Sequence, residues 1–116
     1  MKLDRAKKLI TTEPNISSPH ELLADVLAAS IELLSIEDND FSWSSWIDQA
    51  EAIAELQELL AITEAGALPD RGRTSMLYAP TGPLQEVSMS SGWAEPFLKV
   101  AERFDLAEQL LWGANK

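Results

Sequence analysis

Apolar residues recur at helical spacing in three stretches of the chain. Between residues 19 and 35, Leu22, Leu23, Val26, Leu27, Ile31, Leu33 and Leu34 wrap one side of a helix. Glu21, Asp25 and Glu32 fall within about 40° of one another on the opposite side, at 100° per residue. Ser18-Pro19-His20-Glu21 opens this helix. Serine stands at the N-cap, proline at the first helical position and glutamate three residues after the cap. A second stripe, Ala50, Ile53, Ala54, Leu56, Leu60 and Ala61, predicts a helix over 45–65. Ser45, with Asp48 three residues on, is its cap-like start, and Gly66 is its stop. The third stripe, Phe97, Val100, Ala101, Phe104, Ala107 and Leu111, predicts a helix over 95–112. Pro96 is tolerated only in its first turn, and Glu95, Lys99 and Arg103 form an i,i+4 ladder of alternating sign.

Two segments lack that period. Pro69-Asp70-Arg71-Gly72 reads as a turn. Ser75–Ala79 and Leu84–Met89 flank Pro80-Thr81-Gly82-Pro83, a pattern that predicts a β-hairpin over 75–89. Residues 1–17 form a basic amino-terminal arm or short helix, with Leu3, Leu9 and Ile10 available for packing. The expected fold is therefore α+β and mostly α. It is a single small domain of three to four helices, with one hairpin inserted before the last helix.

Composition narrows the function classes. The chain has 116 residues, no cysteine and one histidine, which leaves no disulfide framework, no thiol nucleophile and no His-pair metal site. The amino terminus is basic, but Thr11-Thr12-Glu13-Pro14-Asn15 stands where a signal peptide needs apolar residues. The expectation is a cytoplasmic protein with no bound cofactor. Nineteen acids against nine bases give a net charge of −10. Nucleic acid and anionic membrane are repelled by that charge and are set aside as partners.

The charge is also segregated. From Leu9 to Asp70 there are 13 acids and no lysine or arginine. The remaining 54 residues carry all nine bases and six acids. Within the acidic stretch, Asp48, Glu51, Glu55 and Glu58 lie three or four residues apart on one helix face, with no base interleaved. Like charges at that spacing repel, so the face is either simply solvated or built for a basic partner. Glu37, Asp38 and Asp40 lie beside Phe41, Trp43 and Trp46. Tryptophan within a polar rim is a frequent binding anchor, although such rings also cap the cores of small proteins.

Other chemistry is thinner. His20 sits at the second position of a helix with nothing to activate, and reads as structural. Asp38, Asp40 and Ser42 imitate the start of an EF-hand loop, but Trp43 and Gln49 occupy the positions that need glycine and glutamate. Arg71 and Arg73 could grip an anion, or dock on the acidic faces of their own chain. Glu55 with Glu58, and Glu102 with Asp105, place carboxylates three apart on two helices. That donor set would suit Mg²⁺ in a helical nucleotide hydrolase.

The reading that follows is a small acidic protein-binding module, with the physical character of an inhibitor or immunity-type protein. Its partner is basic, and its surface combines Glu37, Asp38, Asp40, Trp43, Asp48, Glu51, Glu55 and Glu58. The Mg-dependent hydrolase is one alternative. A homo-oligomer, a homodimer for example, is the other: the basic arm of one subunit covers an acidic face of the next.

Overall fold

The second helix is apolar on more than one side because three helices pack against it. In the computed structural model, which describes residues 3–113, the helices are α1 (Asp4–Thr11), α2 (Pro19–Leu34), α3 (Gln49–Glu64), α4 (Arg71–Tyr78), α5 (Pro83–Ser91) and α6 (Ala94–Trp112). Lys2 of the basic arm lies outside the described residues. Helix α2 touches α1, α3 and α6, and its Leu23, Val26, Leu27, Ala29 and Leu34 are fully buried. Around it the core takes Leu9 from α1, Leu56 and Leu59 from α3, and Phe97, Val100 and Phe104 from α6. Helices α4 and α5 pack on each other and on α6, which extends the core through Leu77, Tyr78, Leu84 and Val87.

The expected β-hairpin does not form. Both of its arms are helices, so the described residues are all-helical rather than α+β. Two caps explain the difference. The Asp70 carboxylate accepts from Arg73 N at 2.8 Å, and the Thr74 hydroxyl donates to Asp70 O at 2.7 Å. What reads as a turn around Pro69-Asp70 is thus the start of α4. Downstream, Gly82 is an N-cap and Pro83 takes the first position of α5, where proline is best tolerated. Burial then follows i, i+3, i+4 in each helix: Thr74, Leu77 and Tyr78 in α4, and Leu84, Val87 and Ser88 in α5. Pro80-Thr81-Gly82 links two helices rather than two strands. A Cβ at Gly82 would collide with the carbonyl oxygen of Met76, so only glycine lets the link fold back this tightly.

The starts of two predicted helices also change in detail. Ser18 precedes α2, but its side chain makes no capping bond, and Glu21 accepts from Asn15 Nδ2 at 3.2 Å instead. Helix α3 starts four residues later than expected, with Asp48 rather than Ser45 as its cap. The Asp48 carboxylate accepts from Glu51 N at 3.0 Å.

Helix α1 has no side-chain cap of its own. Glu32 of α2 supplies one from outside, accepting from Arg5 N at 3.1 Å and Ala6 N at 2.8 Å. A carboxylate at a helix N-terminus meets both free N–H groups and the positive end of the helix dipole. Arg5 also reaches Asp25 at 3.4 Å. Arg5 of the basic arm therefore lies on the acidic side of α2 in its own chain. At the other end of α1, the Arg103 guanidinium of α6 donates to Leu9 O and Thr12 O, at 3.3 and 3.2 Å. Among the described residues, no helix is long and apolar enough to cross a membrane.

Candidate functional site

The connection between α2 and α3 is pinned at its base and turned outward at its tip. Asn39 makes the base. Its amide donates to Leu33 O and Leu34 O, at 2.9 and 3.1 Å, which satisfies the last carbonyls of α2. Its carbonyl accepts from Trp93 Nε1 at 2.8 Å. Asp40 N donates to Ser91 Oγ at 2.8 Å, so the loop is tied to α5 as well. Asp38 has φ of 68°, a left-handed conformation that Asp tolerates better than most residues. The Ser42 hydroxyl and amide donate to the Asp40 carboxylate, the amide at 2.9 Å. Those bonds hold the Asp40 pKa below the usual carboxylate range.

Within this loop the apolar side chains divide. Trp46 is buried, and its Nε1 donates to Glu55 Oε1 at 2.9 Å. Trp43 and Ile47 are 73% and 83% exposed. Glu37, Asp38 and Asp48 are exposed on the same connection, and Asp40 is half-buried. Trp93 lies in the core and Trp112 packs against it.

The acidic face of α3 is partly occupied from within. Glu51 accepts from Ile47 N at 2.6 Å, next to the Asp48 cap. Arg73 reaches across from α4, to Glu55 at 3.2 Å and to Glu58 at 2.8 Å. The guanidinium hydrogen bond and charge hold the Glu58 pKa down. Arg71 pairs with Glu108 at 3.0 Å and donates to Gly113 O at 2.9 Å. Both arginines considered for an anion thus sit at the start of α4 and bind groups of their own chain.

The carboxylates of the magnesium reading fall in two places. Glu55 and Glu58 share Arg73. Glu102 and Asp105 lie on α6, beside a groove bounded by α4 and α5. Among the described residues, no group of three His, Cys, Asp or Glu side chains is placed to hold a metal ion. His20 is half-buried, and its Nε2 has no hydrogen-bond partner among the described residues.

Two features were not anticipated from the sequence. Ile47 is a second exposed apolar side chain on the same connection as Trp43. The available signal was the density of large apolar residues in a segment too short to bury them all. The groove beside α6 is the other, and it exists only because 71–91 is helical. Comparison with known protein families, curated proteins and solved structures gives no match. The geometry of the loop and the distribution of charge therefore carry the functional reading.

Proposed function

We propose that this chain is a small acidic protein-binding module, of the inhibitor or immunity type, acting on a basic protein in the cytoplasm. The observation that supports this reading most directly is the pair Trp43 and Ile47, exposed on a pinned loop. Leaving two large apolar side chains in water has a cost that a partner's pocket removes. The bonds of Asn39, Asp40 and Trp46 hold the loop in place before binding, so little ordering entropy opposes association. Glu37, Asp38, Asp40 and Asp48 form the charged rim, and the absence of lysine and arginine from 9–70 leaves that rim unmixed. Such a rim steers a basic partner and rejects acidic ones. Glu55 and Glu58 contribute less than their sequence spacing implies, since Arg73 already neutralises part of their charge.

Affinity capture from the cell of origin tests the reading with three proteins: wild type, Trp43→Ala, and Asp38→Asn combined with Asp40→Asn. Asparagine keeps the left-handed turn at 38 and an acceptor at 40, so the double variant changes charge with little change in shape. The wild type should retain a basic protein at low salt and release it in a salt step. Both variants should retain roughly tenfold less of it. An empty wild-type eluate, or equal retention by all three, overturns the proposal.

A further inference from the structure

Helices α4, α5 and α6 enclose an open groove of about 620 Å³. Leu98, Ala101, Asp105 and Glu108 of α6 line it at i, i+3, i+7 and i+10, which is one face of a helix over about 15 Å at 1.5 Å per residue. Tyr78 and Phe104, stacked at 4.4 Å between ring centroids, back the groove. Leu98 is 56% exposed at its mouth. The floor is thus apolar and the α6 side is acidic.

The acids there differ in how they are paired. Arg71 and the Ser75 hydroxyl engage Glu108, at 3.0 and 2.6 Å. Among the described residues, no basic group lies within ion-pair distance of Glu102 or Asp105. Arg103, the nearest base in sequence, is turned to α1. Partial burial, reinforced by Glu108 and Glu102, raises the Asp105 pKa. A single ion would satisfy that charge and leave Leu98 in water.

We infer that the groove between α4, α5 and α6 is a docking site for a basic amphipathic helix of a partner protein, whose apolar side chains enter beside Leu98 and Ala101 and whose lysines or arginines meet Glu102 and Asp105. Leu98 and Ala101 open the α6 face with an apolar turn and Asp105 and Glu108 continue it as acids, which matches the apolar and basic positions that one helix face presents when it lies in a groove. The charge complementarity selects the basic version over its acidic counterpart. This surface is separate from the Trp43 loop and does not depend on it.

The test uses the full chain labelled for NMR and two synthetic helical peptides of about four turns. Both carry leucine every three or four positions; one has lysine at the flanking positions and the other has glutamate. The lysine peptide should shift amide signals of 75–85 and 97–108, with an affinity that falls as salt rises. Glu102→Lys with Asp105→Lys should weaken it roughly tenfold or more, while Trp43→Ala leaves it unchanged. Circular dichroism of the charge variant confirms that the helices persist, and Glu102→Gln is the milder substitute if they do not. Equal binding of the two peptides, no shift at millimolar lysine peptide, or shifts confined to 36–48 each overturn the inference. Because Trp43→Ala is the control here, failure at the groove and failure at the loop are read separately.

Discussion

Ser30 and Tyr78 meet through one buried hydrogen bond of 2.8 Å, although 48 positions separate them. The serine hydroxyl has a single proton, and it is spent on Val26 O at 2.8 Å. Tyr78 must therefore be the donor in the shared bond. That assignment makes the two residues unequal. Removing the phenol oxygen leaves Ser30 with its Val26 acceptor and costs about 1 kcal/mol, the net worth of one hydrogen bond. Removing the serine hydroxyl leaves a buried phenol with no partner among the described residues, at about 1–3 kcal/mol. Ser30→Ala should thus be less stable in urea unfolding than Tyr78→Phe, and the double variant should lose less than the two single losses together. Equal losses for the two single variants would mean that Tyr78 has found another acceptor. Burial also pushes the Tyr78 phenol above its ordinary pKa, which keeps it a donor across the physiological range.

At the scale of elements, length decided what could be read. Helices α2, α3 and α6 run 16, 16 and 19 residues, long enough for the apolar stripe to repeat over several turns. Helices α4 and α5 run eight and nine. In so short a span Gly72, Pro80, Gly82 and Pro83 dominate the local pattern, and those residues are as much at home in a hairpin as at helix ends. The deciding contacts, Asp70 capping α4 and the tight turn at Gly82, are properties of the folded backbone. The candidate loop was legible through Trp43 and its neighbouring acids, whereas its outward direction depends on Asn39 holding Trp93 and on Trp46 turning inward. The pairing of Arg73 with Glu55 and Glu58 was likewise only one option until α4 was placed.

The shortest helices also depend most on their neighbours, as α1 shows. Eight residues are too few for a helix to persist alone in water, and Glu32 closes two of its free N–H groups. Glu32→Ala should cost about 1–2 kcal/mol, in the range of a lost N-cap. Hydrogen exchange should then accelerate in 4–11 more than in α3. Uniform acceleration along the chain would show instead that α1 and the rest of the molecule open together.

Across the whole molecule, folding redistributes a polarised charge. Cations from either side of the acidic stretch fold onto it, Arg5 onto Asp25 and Arg73 onto Glu55 and Glu58. These pairs are largely exposed and individually weak, so they leave the self-repulsion of a net charge of −10 mostly uncorrected. Salt screens both effects, and the larger one sets the sign. The melting temperature should rise between about 20 and about 500 mM NaCl at neutral pH. A fall would mean that the ion pairs outweigh the repulsion.

The bonds from Arg103 to Leu9 O and Thr12 O bridge 94 and 91 positions of sequence. On the ribosome α1 emerges well before α6, so this part of its support is made about 90 residues after it. Until α6 leaves the exit tunnel, α1 has Glu32 at its start and no guanidinium at its finish. Helix α1 therefore gains its full support only late in synthesis, and a nascent chain halted before Arg103 holds α1 by its start alone.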